Sequence, residues 1–145
     1  MTKIIYILGI ESSCDETAAS ILKVQDGNFE ILSSVISSQV KVHAKFGGIV
    51  PEVAARLHIE KVLPIIESAV EKAGLEMDQV DYMAVCSGPG LISSLMVGVE
   101  TVKVLAHAFE KPLIRVNHIE GHLLSISDKL KFPAIGLVVS GGHTQ

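Results

Sequence analysis

The feature that most constrains the fold is a change of hydrophobic period near residue 50. Before it lie three apolar runs of strand length: Lys3 to Gly9, Thr17 to Val24, and Phe29 to Val40 with its β-branched Ile31, Val35, Ile36 and Val40. The first two are separated by Glu11-Ser12-Ser13-Cys14-Asp15-Glu16, and the last two by the turn signal Asp26-Gly27-Asn28. Three such strands in succession predict an antiparallel meander. After the change, Val53, Ala54, Leu57, Val62, Leu63, Ile66, Ala69 and Val70 recur at helical spacing. They predict a helix over 50–73 that closes near Gly74 and is kinked or split at Pro64.

Strand and helix then alternate. Val80 to Cys86 reads as a buried strand, Ser87-Gly88-Pro89-Gly90 as a tight turn, and Leu91 to Phe109 as a helix apolar on most sides and therefore buried on both faces. Leu113 to Val116 is a short strand, the segment from His118 a helix, and Ala134 to Val139 a last strand. The fold class is α/β: a mixed sheet with three initial antiparallel strands and flanking helices. The superfamily of actin, the heat-shock chaperone ATPases and the sugar kinases shares this order, an analogy of fold that fixes no activity.

Composition narrows the function classes. A chain of 145 residues is one domain by length, and 48% apolar content with a mean hydropathy of +0.46 supplies a core. Met1-Thr2-Lys3 and the apolar run to Ile10 meet Glu11 and Asp15 without a small-residue cleavage site, so they read as a strand rather than a signal peptide. No apolar run reaches the ~18 residues of a membrane span. Cys14 and Cys86 form no spaced framework, which fits a reducing cytoplasm. A net charge of −4 argues against a large nucleic-acid footprint, so any RNA contact is local or shared with a partner. The chain stops on Val138-Val139-Ser140-Gly141-Gly142-His143-Thr144-Gln145 just as a new strand would return, which reads as a fragment.

Candidate chemistry centres on His118-Ile119-Glu120-Gly121-His122. On a helix, two imidazoles four positions apart lie one turn above each other and can bind a single divalent metal. An ordinary pair of surface histidines has the same spacing. The position just past a strand end, where open α/β sheets hold ligands, favours the metal. A zincin peptidase needs its Glu directly after the first His, where this chain has Ile119. Glu120 lies about 200° round the helix from each His and points away from the metal face.

Other stretches carry two readings each. The Glu11 to Thr17 loop can orient a metal-bound water or a ligand hydroxyl, or merely cap its own backbone. Ser140-Gly141-Gly142 can admit a phosphate or carbamoyl group close to the backbone, or act as a hinge. Ser87-Gly88-Pro89-Gly90 opens a helix N-terminus that favours anions, although turn chemistry alone explains it. Lys41, His43, Lys45, Arg56, His58 and Lys61 around Phe46-Gly47-Gly48 form the one basic region, a phosphate contact or a mixed solvated face. Ser94 and Gly98 are small residues four apart in a helix. Since Gly costs about 1 kcal/mol there, a close-packed neighbour from this chain or a partner subunit must offset it. Cys14 as a nucleophile with His118 or His122 as base is incompatible with a metal on both rings.

Taken together, six stretches resemble the bacterial TsaD family, also called Gcp or YgjD and related to archaeal and eukaryotic Kae-type proteins. They are Glu11-Ser12-Ser13-Cys14-Asp15-Glu16-Thr17, Ser38-Gln39-Val40-Lys41-Val42-His43, Gly47-Gly48-Ile49-Val50-Pro51-Glu52, Gly88-Pro89-Gly90, His118-Ile119-Glu120-Gly121-His122 and Val139-Ser140-Gly141-Gly142-His143-Thr144-Gln145. The resemblance covers the whole chain. It implies an actin-like, two-lobed (ASKHA) fold, with 1–133 as the N-terminal lobe and 134–145 as the first strand and glycine turn of a truncated second lobe. It also implies transfer of a threonylcarbamoyl group from threonylcarbamoyl-AMP to the exocyclic amine of the adenosine 3′ of the anticodon in tRNA.

By the same resemblance, His118 and His122 are ligands of one divalent metal, iron or zinc, whose third protein ligand lies outside this chain. Val138, Val139, Ser140, Gly141 and Gly142 bind substrate, and Glu11 and Asp15 are acidic catalytic residues at the site's border. Threonylcarbamoyl-AMP, tRNA, the TsaB and TsaE proteins and the adenylate-forming synthase are the implied partners, in the cytoplasm. The Ser94/Gly98 helix is the candidate homodimer or heterodimer contact. With a ligand missing, the chain alone is expected to bind metal poorly and to transfer little. The rival functions are an ATPase or sugar kinase of the same superfamily, another carbamoyltransferase, and a non-catalytic scaffold paralogue. The His pair speaks against the last.

Overall fold

The structure is a computed structural model that describes residues 3–125, 133–140 and 143–144. Strands β1 (Ile5–Glu11), β2 (Glu16–Gln25) and β3 (Asn28–Ser38) form the expected meander. Asp26 and Gly27 both have positive φ, 55° and 77°, as a two-residue hairpin turn with the twist of the flanking strands requires. A short helix α1 (Val40–His43), which begins at the residue expected to close the third strand, is followed by a 3₁₀ turn at Ala44–Phe46 and helix α2 (Pro51–Lys72). Then come β4 (Tyr82–Gly88), α3 (Ile92–Ala108), β5 (Leu113–Asn117), α4 (His118–Leu124) and the small hairpin of β6 (Val139–Ser140) and β7 (His143–Thr144).

The five-stranded sheet has the order β3-β2-β1-β4-β5, with β4 and β5 parallel to β1. Register dictates the core. Leu8 faces Ile21 and Met83, and Ile10 faces Ala19 and Val85, so these side chains share one side of the sheet. Val62, Ile65, Ile66, Ala69 and Val70 of α2 and Val102 and Ala106 of α3 close over them, placing both long helices on that side. On the reverse side, Gly9, Ala18, Ser20 and Ala84 leave a shallow trough of small residues.

Three expectations are corrected. Helix α2 runs unbroken through Pro64. The proline is exposed, as is Glu60, whose carbonyl loses its N–H partner, so water can satisfy the vacant acceptor. Helix α3 buries only a stripe of Ser94, Gly98, Val102 and Ala106, while Ile92, Met96 and Val104 stay 78%, 58% and 67% exposed. The strand expected over 134–139 is reduced to Val139–Ser140, with no regular structure over 133–138.

Candidate metal centre at the carboxyl end of the sheet

The site forms where β1, β4 and β5 end side by side. Asn117 is the N-cap of α4: its Oδ1 accepts from the backbone N–H groups of Ile119 at 2.9 Å and Glu120 at 3.3 Å. Ile119 is buried and anchors this short helix. The cap turns His118 toward the β1–β2 loop, where its Nδ1 lies 3.2 Å from Glu11 Oε2 and 3.1 Å from Ser13 Oγ.

The two imidazoles are stacked edge to face, with centroids 4.4 Å apart and an interplanar angle of 80°. Their Nε2 atoms are 3.0 Å apart. Two nitrogens each about 2.0–2.1 Å from one ion are at most about 4.2 Å from each other, so the pair fits a shared divalent metal. The cleft around them is lined by Glu11, Ser13, Cys14, Asp15, Asn117, His118, Gly121 and His122. His122 is exposed and His118 half-buried, which leaves the pair open to a ligand. Glu120 is exposed and lines a separate crevice with Ser87 and Arg115, in keeping with its expected direction away from the metal face.

Glu11 experiences opposing effects. Burial raises its pKa, but hydrogen bonds from the Ser13 hydroxyl and backbone, Cys86 and His118 outweigh it, and the carboxyl ends below its ordinary 4.5. Burial is also the main cause that pushes the Cys86 thiol up to about 12. The carboxylate, this thiol and one His118 nitrogen lie within 4.8 Å of one another, a second arrangement able to hold a metal. Because Glu11 faces Nδ1 and His122 faces Nε2, the two arrangements draw on opposite nitrogens of His118. Burial first, and then the Asp15 charge, raise Cys14 as well, which disfavours a thiolate nucleophile there.

The acidic loop is held from beneath. Gln39 N–H donates to Asp15 O at 2.9 Å, and Leu91 N–H to Ser13 O at 2.8 Å. His58 is fully buried, with Nδ1 2.8 Å from Thr17 Oγ1 and Nε2 3.0 Å from Cys14 O. Burial lowers its pKa, so it is a neutral strut. His43 is likewise buried, against Gln39 at 3.0 Å, and Arg56 pairs with Glu52 at 2.6 Å. The basic region thus loses both histidines to the interior.

Asp15 borders the same cleft as the His pair, as expected for the loop. Val138 is half-buried, and Val139 and Ser140 pair with β7. Gly141 and Gly142 lie outside the described residues. Ser94 is fully buried and Gly98 packs on Ser12 and Val85, so the Ser94/Gly98 face proposed as a partner contact is already filled by this chain. The sequence reading did not single out Ser13, Asn117 or Cys86 for a role at His118. Of these, only Asn117 carried a local signal, a capping residue directly before the predicted helix.

Comparison with known proteins adds a family. Residues 30–145 match the family model described as TsaD: tRNA N6-adenosine threonylcarbamoyltransferase. Proteins named tRNA N6-adenosine threonylcarbamoyltransferase are 50% identical in Listeria monocytogenes serotype 4b (strain CLIP80459), over 100% of this chain and 42% of that protein, and 52% identical in Anaeromyxobacter sp. (strain Fw109-5), over 95% and 41%. The one from Bacillus subtilis (strain 168) is 48% identical over 99% of this chain and 41% of its own length. The chain therefore spans about two fifths of the length of these relatives. Among solved structures, YeaZ from Pseudomonas aeruginosa shares the fold, with a TM-score of 0.63 at 18% identity over 86% of this chain and 49% of that one.

Proposed function

The chain belongs to the TsaD family of tRNA N6-adenosine threonylcarbamoyltransferases, and from that premise we propose that the whole protein transfers the threonylcarbamoyl group of threonylcarbamoyl-AMP to the N6 amine of the adenosine 3′ of the anticodon in tRNA. The single observation that carries the reading at the site is the convergence of the His118 and His122 Nε2 atoms, 3.0 Å apart in an open cleft beneath an acidic loop.

His118 and His122 would hold one iron or zinc ion, since paired imidazoles suit either. When bound, the ion supplies Lewis acidity toward the oxygens of the adenylate. In the reaction the amine nitrogen bonds to the carbamoyl carbon, the carbon–oxygen bond to phosphate breaks, and AMP departs with that electron pair. One proton leaves the amine, and Asp15 at the border of the cleft is the residue assigned to receive it. AMP is already a good leaving group, so holding amine and carbonyl in line contributes more than a strong base. The backbone of Val138 to Gly142 is assigned to the substrate, with its N–H groups toward developing negative charge.

For partners, the reading assigns TsaB, with TsaE and the adenylate-forming synthase, in the cytoplasm; no described helix is long and apolar enough to cross a membrane. With the Ser94/Gly98 face filled, the TsaB contact is assigned to the apolar groove between α2 and α3, where Ile59, Leu63, Met96 and Val104 are exposed. Residues 134–145 remain assigned to the start of a second lobe.

The test is nucleoside analysis of tRNA incubated with threonylcarbamoyl-AMP, the whole protein and its partners. Threonylcarbamoyladenosine should accumulate, and should fall to background in His118→Ala and His122→Ala. Modification that survives both substitutions overturns the site. A superfamily kinase would show ATP-dependent phosphorylation insensitive to either change.

A further inference from the structure

We infer that Glu11 is a positioning residue, whose carboxylate holds His118 as the Nδ1–H tautomer and thereby aims the Nε2 lone pair toward His122. The inference deepens the metal-site reading above and rests on it only for the consequence in metal affinity.

An ionised carboxylate can only accept. Glu11 receives the Ser13 backbone N–H at 2.5 Å on Oε1, and Ser13 Oγ and Cys86 Sγ are further donors to it. The remaining contact, from Oε2 to His118 Nδ1 at 3.2 Å, therefore requires the proton on Nδ1. Ser13 Oγ, 3.1 Å from the same nitrogen, can share that proton as a second acceptor while its own hydrogen points at the carboxylate. A neutral ring protonated at Nδ1 has its lone pair at Nε2, the atom that lies 3.0 Å from His122 Nε2. Carboxylate-to-imidazole contacts of this kind orient metal-ligating histidines generally.

The placement depends on the fold. Glu11 ends β1, Cys86 lies near the end of β4 and His118 follows β5, and β4 lies between the other two strands. The carboxylate thus reaches across the end of the central strand to a ring 107 residues away in sequence.

Glu11→Gln keeps the length but sharpens the test. The Ser13 N–H is a fixed donor and takes the amide oxygen, so the amide NH₂ must face His118 Nδ1. That nitrogen becomes an acceptor, and the ring switches to Nε2–H. Nitrogen-15 NMR of histidine-labelled, metal-free protein reads the tautomer directly, with His118 assigned by its loss in His118→Gln. The expected result is Nδ1–H in the wild type, Nε2–H in Glu11→Gln, and a 10- to 100-fold weaker dissociation constant for Zn²⁺ in the variant. A wild-type ring protonated at Nε2, or a Glu11→Gln ring with unchanged tautomer, overturns the inference, and the wild-type spectrum decides even if the variant does not fold. Zn²⁺ binding of equal strength in both proteins also overturns it. If the tautomer switches as expected but neither protein binds Zn²⁺, the positioning role stands and the metal-site reading fails.

Discussion

Ser12 occupies the space that a side chain on residue 98 would need: a Cβ added to Gly98 would lie 2.4 Å from Ser12 Oγ. The hydroxyl donates to Ser94 O at 2.9 Å and accepts from Gly98 N–H at 3.2 Å. Those two backbone groups are i and i+4 of α3, so the acidic loop is wedged into the hydrogen-bond ladder of that helix.

Gly98→Ala is therefore expected to destabilise by about 1–3 kcal/mol, although Ala is the better helix former. Ser12→Ala should cost about 1–3 kcal/mol through the backbone groups it strands. The double variant, in which the wedge is gone, should lose less than the sum. Urea denaturation midpoints of the four proteins measure the coupling, and strict additivity would contradict it.

Ser94 Oγ is buried and has no partner among the described residues. Replacing it with Ala removes a desolvated hydroxyl without opening a contact, so Ser94→Ala should be neutral or stabilising by up to ~2 kcal/mol. A loss of stability on thermal unfolding would show that the hydroxyl is bonded after all.

Pro64 lies on the exposed face of the unbroken helix α2 and leaves one backbone acceptor there without its N–H partner. Pro64→Ala restores an N–H to the ladder and should stabilise by about 1–2 kcal/mol, part of the helix gain being offset by a freer unfolded chain. Thermal melting followed by circular dichroism checks it.

His58 sets a pH dependence. Its folded pKa lies below the ordinary 6.5 because burial disfavours the charged ring. Above 6.5 neither state binds the proton. As pH falls below it, the unfolded chain is protonated first and stability drops, with a slope of at most ~1.4 kcal/mol per pH unit, levelling off below the folded pKa. Glu11 acts in a lower window. Its folded pKa is depressed, so its contribution is present above 4.5 and is lost as pH falls through the folded value. Urea titrations between pH 7.5 and 5 should show a shallower slope in His58→Gln than in the wild type.

Met96→Asp or Val104→Lys places a charge in the apolar groove and should abolish co-purification with a TsaB partner while leaving the melting temperature nearly unchanged. A substitution at Gly98 does not probe that surface, since any side chain there runs into Ser12 and reports on folding.

Much of this architecture can be read from the sequence because its signals are local. Asp26-Gly27 determines a hairpin, and the spacing from Val53 to Val70 determines a helix. The errors come from effects that only packing decides. Pro64 suggests a break, yet it falls on the solvent side, where a lost bond is tolerated. The apolar residues of α3 imply burial all round, but the sheet supplies only one side to bury against. His43 and His58 look like members of a basic face until Gln39 and Thr17 draw them inward. The site was half legible: periodicity pairs His118 with His122, whereas Glu11 joins them only through the family resemblance, because no local spacing encodes a contact that exists only after β4 has been inserted between β1 and β5.

Helix α4 is only seven residues long, and its footing is one buried Ile119 and one Asn117 cap. Both imidazoles ride on it, whereas Glu11 hangs from the far more deeply rooted β1. Fraying of that one helix would part the two rings from their carboxylate together. The lifetime of anything they grip would then follow the opening rate of about two turns of backbone, and Asn117→Ala should shorten it without touching either ring.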